Sequence, residues 1–272
     1  VCLLTTEDIA RAFRVTPATL AQRIVRSKAI IRDKTIPYQV PSPQELPERL
    51  GGVLQVVYLV FNEGYSAEGT GSALSREAIR LGRLLRELLP EPEVTGLLVL
   101  MLLQVSRGAV RCSPKGDLIF LDQQDRSLWN QDQIAEGIAL TESALASHRF
   151  GAYTPQAAIA AVHTEAPSAA STDWQQIAAL YDRLIRIQPS PVVELNRAVA
   201  VAMCGHPEKG LALIDSLLAR GELANYHLEL SARAKLCRRL SRLAEASASY
   251  EKALARFGRS PTASSWRRGC RN

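Results

Sequence analysis

Aromatic residues are scarce in this sequence, at 6%, and its five cysteines (Cys2, Cys112, Cys204, Cys237, Cys270) are scattered. Their odd number and the lack of any CxxC pair argue against a disulfide framework or a structural zinc site. No unbroken apolar run approaches the roughly 18 residues of a membrane span. The richest, Gly96 to Leu103, is far shorter, and the N-terminus does not have the layout of a secretory signal. A cytoplasmic chain with no membrane partner is the expectation. The four histidines are dispersed, and neither a phosphate-cradling glycine loop nor a nucleophile elbow occurs. Nothing here points to an enzyme, a cofactor or a metal.

What the sequence does hold is aliphatic and basic. Hydrophobic residues make up 47% of the 272, with Ala, Leu and Arg prominent. Those residues lose little side-chain freedom in a helix, so an all-α fold with a sizeable core is expected. The formal net charge is +6. Its distribution is more informative than its size: Thr5 to Lys34 carries seven basic residues against three acids. A second basic zone runs from Arg220 onward, and the middle is close to balanced.

Prolines at 37, 41 and 43 mark a linker over residues 35–42, because proline removes an amide donor and biases its neighbour toward extended backbone. The linker separates a small unit, 1–34, from a helical domain at 43–170. Ser42 is placed to cap that domain's first helix. Leu54, Val57, Tyr58 and Phe61 recur at helical spacing, and Gly64 reads as the stop of their helix. Ala78, Leu81, Leu84, Leu85 and Leu88 mark the next helix, and Val94 to Val105 a third. Residues 109–121 alternate around Ser-Pro-Lys-Gly-Asp, which predicts one short β-hairpin. Helices resume over Asn130–Ser147, Thr154–Glu165 and Asp173–Ile187, the last capped by Asp173.

Residues 171–258 contain an internal repeat. The segment starting at Gly205 aligns with that starting at Ser241, an offset of 36, near the roughly 34-residue tetratricopeptide period. Gly210, Ala212, Ala246 and Ala248 are then small residues for close helix approach, with Ile214 and Tyr250 filling the groove. Trp174, Leu180 and Tyr181 fit an earlier repeat. Generic antiparallel helical hairpins give much the same pattern. Residues 259–272 break it and are expected to form a disordered tail.

The most informative stretch is Leu4 to Arg32. Thr5 or Thr6 caps a short helix whose buried stripe is Ile9, Ala10 and Phe13. Arg14-Val15 forms a turn, and Thr16-Pro17 is a strong helix start: a hydroxyl cap, then proline in the first turn. The second helix is expected to bury Leu20, Ile24 and Ile31. Its other face shows Ala18, Thr19, Gln22, Arg23 and Arg26. Polar side chains near the start of such a helix reach base edges in the major groove, and arginines read guanine or hold phosphate. Arg26, Lys28 and Arg32 are placed to grip the backbone. The DNA-binding set is therefore Thr16, Ala18, Thr19, Gln22, Arg23, Arg26 and Lys28. A helical hairpin with a merely solvated charged face is the alternative.

Leu4-Thr-Thr-Glu-Asp-Ile-Ala-Arg-Ala-Phe and Ala21-Gln-Arg-Ile-Val-Arg resemble region 4.2 of extracytoplasmic-function sigma factors. Further on, Ile36-Pro-Tyr-Gln-Val-Pro, Tyr58-Leu-Val-Phe-Asn-Glu-Gly-Tyr-Ser and Pro191-Val-Val-Glu-Leu-Asn-Arg-Ala-Val-Ala are similar to the subgroup with a long tetratricopeptide-like extension. The resemblance implies recognition of the promoter −35 element, with promoter DNA and RNA polymerase core as partners and a regulatory protein on the extension. It departs from that pattern at Arg14, where glycine is usual, and in lacking region 2 and the first helix of region 4. The chain is thus expected to be the C-terminal part of such a factor.

Four residues are candidates for partner binding: Asn62 and Glu63 at the end of an apolar helix, and Asn196 and Arg197 on a concave helical surface. His163-Thr-Glu165 lacks the Pro-Cys-x-x-Cys partner of zinc deaminases. Asp122, Asp125 and Asp132 do not have calcium-loop spacing. The rival to DNA recognition is a protein-interaction module on which the N-terminal helices merely dock; it predicts that Gln22, Arg23 and Arg26 are buried.

Overall fold

The computed structural model of the chain describes residues 5–12, 15–35, 42, 44–66, 73–113, 119–148, 151–223 and 226–257. Helices dominate, and no strand occurs among the described residues. The all-α expectation holds. The proposed tail from residue 259 onward, Phe13, Arg14 and most of the linker lie outside the described residues.

Helices α1 (Thr6–Ala12) and α2 (Pro17–Asp33) form the N-terminal pair. Helices α3 (Leu46–Ser66), α4 (Ala73–Leu88), α5 (Pro92–Val105) and α6 (Gln131–Ala146) follow. Ahead of α3, the Glu45 carboxylate accepts bonds from both the Ser42 amide and its hydroxyl, each 2.8 Å long. Those two bonds, the amide's first, hold the Glu45 pKa below its usual value. Gly64 does not stop α3: the helix runs on to Ser66, with Gly64 buried inside it. Asn62 and Glu63 therefore sit in its last turns, half-buried, rather than at a cap.

The apolar α5 is the axle of this part. Ten consecutive residues, Val94 to Leu103, are buried, because α3, α4, α6 and α7 (Tyr153–Glu165) pack around it. Phe61, Leu97, Leu98, Met101 and Leu102 form the core on one side. Val99, Leu103, Trp129, Ile134 and Ala161 form it on the other. The segment Pro92–Val110 is long and apolar enough to cross a membrane, although its polar residues break the run seen in the sequence. Its burial, 67%, is that of a core helix.

The expected β-hairpin is replaced. Gly108–Val110 is a 3-10 turn with Val110 buried, and Cys112 carries one isolated bridge. The Ile119 amide donates to the Arg111 carbonyl at 2.8 Å. The loop closes like a hairpin, but burying Val110 takes the place of a ladder; 114–118 lie outside the described residues.

From α7 onward the chain is a stack of helical pairs with α8 (Trp174–Ile187), α9 (Pro191–Met203), α10 (Pro207–Arg220), α11 (His227–Arg239) and α12 (Leu243–Phe257). Helices α9 and α11 begin 36 residues apart, and so do α10 and α12. The tight turns inside the two pairs correspond as well: Gly205 and Ser241 both have positive φ, 90° and 59°. Asp173 caps α8, its carboxylate accepting from the Gln176 amide at 2.9 Å. Gly210 and Ala246 are buried at helix contacts, whereas Ala212 and Ala248 are exposed. Residues two apart on a helix lie about 200° apart around its axis and cannot share a face. A Cβ on Gly210 would lie 2.5 Å from the Ala202 Cβ, so α9 and α10 touch there almost backbone to backbone.

Candidate functional site

The α1–α2 unit is built as its residues require. Thr16 has extended backbone, and its hydroxyl accepts from the Thr19 amide at 3.2 Å. The Thr16 and Thr19 hydroxyls also bond each other at 2.8 Å. Pro17 starts α2, where its missing amide proton costs nothing. Ala10 on α1 and Leu20 on α2 are the buried contact, 1% and 6% exposed. The Val15 amide closes the turn on the Ala10 carbonyl at 2.9 Å.

One expectation fails on α2. Ile31 is 53% exposed, and Ile24 is only half-buried. Ile31 does lie on the Leu20 face, but α1 is seven residues long and α2 seventeen. At about 1.5 Å rise per residue, α1 covers less than half of α2. Val25 and Ile30 are exposed too.

The seven predicted DNA-binding residues are all exposed. Ala18, Thr19, Gln22, Arg23 and Arg26 fall within an arc of about 140° at 100° per residue, one face of α2. Lys28 is about 200° round from Arg26 and flanks the opposite side. Thr16 is engaged in the cap. Among the described residues no carboxylate pairs with Arg23, Arg26 or Lys28; Arg32 bonds Asp33 at 3.2 Å. No acid occupies the first turn. The helix therefore presents a cationic face on which Arg23 and Arg26 have no partner among the described residues.

The partner-binding candidates separate. Asn62 and Glu63 stay on α3, Asn196 lines a cleft between α5, α7, α8 and α9, and Arg197 faces the other way to bond Asp182. That second groove, about 340 Å³ between α8, α9 and α10, also holds the Arg220–Glu194 pair. His163 lines the first cleft, edge-on to Trp174 at 5.3 Å. Burial, with Arg107 and Arg126 nearby, pushes its pKa down to about 4. Asp125 caps a short turn through the Ser127 hydroxyl and amide, which lower its pKa. No group of three or more metal-ligating side chains gathers among the described residues.

Sequence reasoning missed Glu93. Its carboxylate on α5 accepts from the Tyr153 amide at 2.9 Å, the Thr154 amide at 3.1 Å and the Thr154 hydroxyl at 2.8 Å. It thereby caps α7, whose own N-cap residue, Ala152, has no side-chain bond to offer. An acid opening an otherwise apolar helix was the available signal.

Residues 49–145 match the model of a family of unknown function (DUF6596). The chain is 45% identical over 257 residues to an uncharacterized protein of Rhizobium meliloti (strain 1021). That alignment covers 93% of this chain and 60% of the relative, so the chain spans well under the relative's full length. No solved structure matches. These findings overturn the assignment to the extracytoplasmic-function sigma factors. What the helical part matches is a family without an assigned function, and the relative's description names no sigma factor.

Proposed function

We propose that this chain binds duplex DNA by laying α2 in the major groove, and that the helical array behind it is a scaffold for interactions rather than for catalysis. The observation that carries this reading is the exposed face of Gln22, Arg23 and Arg26, unpaired among the described residues, the feature that separates a DNA reader from a docked helical hairpin. Arg23 and Gln22 are near the start of α2, where side chains reach base edges. Arg26 and, on the other flank, Lys28 are spaced to meet the phosphates that border a groove. Expectations of a polymerase partner and a −35 element rested on the family likeness alone, and this reading does not use them. A DNA reader works where the DNA lies, which under this reading is the cytoplasm.

The test is selection of duplexes from a randomised pool by the full chain. An enriched motif is expected, with Arg23→Ala weakening its binding by about 1–3 kcal/mol and relaxing preference at one position. A pool that stays random, or a motif bound equally by Arg23→Ala, refutes the reading. One observation favours the interaction-module alternative: the charged groove between α8, α9 and α10, with its facing Arg197–Asp182 and Arg220–Glu194 pairs.

A further inference from the structure

The cleft where α5, α7, α8 and α9 meet has a volume of about 280 Å³. Its floor is aliphatic: Leu100 and Leu103 from α5, Ile159 from α7 and Leu184 from α8. Around that floor stand Gln104, Arg107, Tyr181 and Asn196, whose side chains bond no protein group among the described residues. Gln156 spends its amide donor on the Ala152 carbonyl at 3.0 Å, which leaves its oxygen as an acceptor.

The charge in this cleft is one-sided. Among the described lining residues Arg107 is the lone formal charge, and none is a carboxylate. The neighbouring Arg126 is already committed: it donates to the His163 and Ala166 carbonyls at 2.6 and 2.7 Å and stacks over Trp129. Its pKa is lowered by burial and by Arg107, the mark of two cations close together. His163 is neutral at pH 7 and does not add to the charge. A half-buried guanidinium with no carboxylate among the described lining residues keeps its donors free for an anion entering from solvent.

We propose that this cleft binds a small organic monocarboxylate with an apolar body, its carboxylate on Arg107 and its body on the Leu100–Leu103–Ile159–Leu184 floor. The carboxylate matches the planar fork of a guanidinium, and a single cation balances a single negative charge. A phosphate dianion would bring excess charge onto an aliphatic floor. Neutral donors at Gln104, Tyr181 and Asn196 supply the remaining hydrogen bonds. The volume is that of about nine waters at roughly 30 Å³ each, so the ligand has on the order of ten non-hydrogen atoms. The site shares no residue with α2, so it stands or falls independently of DNA binding.

Isothermal titration calorimetry of the full chain with phenylacetate, hexanoate and the uncharged phenylacetamide tests this. The expected result is one-to-one binding of both carboxylates, with phenylacetamide at least about tenfold weaker. Arg107→Gln removes that preference, and Val192→Trp, which fills the cleft mouth from a partly exposed position, removes binding of all three. Arg186→Gln, in the other groove, leaves binding unchanged. The proposal is overturned if neither carboxylate binds at millimolar concentration, if acid and amide bind alike, or if folded Val192→Trp binds as wild type does.

Discussion

Replacing Glu93 with alanine tests how the centre of the molecule is held. The carboxylate accepts three bonds at the start of α7, two of them from backbone amides, at 2.8–3.1 Å. Hydrogen bonds to a charged group contribute about 1.5–3 kcal/mol each when the donor is then left dry, and less where water replaces the partner. Thr154 is fully buried and Tyr153 half-buried, so water reaches one amide better than the other. The expected loss is about 2–4 kcal/mol in total. The same crossing depends on Gly96, where a Cβ would lie 2.7 Å from the Thr154 nitrogen. α5 and α7 are therefore too close for another side chain to take over the cap. Urea denaturation reads the effect as a lower midpoint at unchanged slope. With Thr154→Val in a double-mutant cycle, the losses are expected to be strongly non-additive. A Glu93→Ala chain within about 0.5 kcal/mol of wild type refutes the argument that this carboxylate caps α7.

Two further perturbations follow from the same geometry. Gly210→Ala places a methyl 2.5 Å from the Ala202 Cβ and 2.6 Å from the Ala198 oxygen, so α9 and α10 must separate; a loss of about 1–3 kcal/mol in urea stability is expected. His163, with its pKa near 4 against an ordinary 6.5, contributes nothing to pH dependence above about pH 7.5, where both folded and unfolded forms are neutral. As pH falls from 6.5 to 4 the unfolded chain takes up a proton that the folded chain refuses, so stability falls, by about 2–3 kcal/mol at the low end. A His163→Gln chain, compared with wild type at pH 7 and pH 4.5, is expected to lose correspondingly less over that window.

Local chemistry made most of the helices legible. The Thr16-Pro17 start, the Asp173 cap and the proline breaks are all where the sequence places them. The 36-residue offset emerges as corresponding helices in successive pairs. What the sequence hid depends on lengths and crossings. The Ile31 side chain has the right period to be buried, yet α1 is too short to reach it. Gly64 has the type of a helix stop, yet α3 continues through it into the packed interior. The alternation over 109–121 suggested a strand, but Val110 gains more from the core beside Trp129 than from a ladder. The carboxylate cleft was invisible because it joins Arg107, in the turn after α5, to Tyr181 on α8 and Asn196 on α9, more than 70 residues further along the chain. Gln104, late in the apolar α5, and Arg107, just after it, are the polar interruptions that hinted at it.

The central claim is that α2 engages DNA through its unpaired cations. It is tested most directly by the salt dependence of full-chain binding to duplex DNA, with and without Arg23→Gln and Arg26→Gln together. With Arg26 and Lys28 meeting phosphates and Arg23 a base edge, log affinity should fall against log salt with a slope of about −2. The double variant should bind more weakly, with a slope shallower by about 1. Binding that is absent at low salt, or that keeps the same slope in the double variant, contradicts the claim.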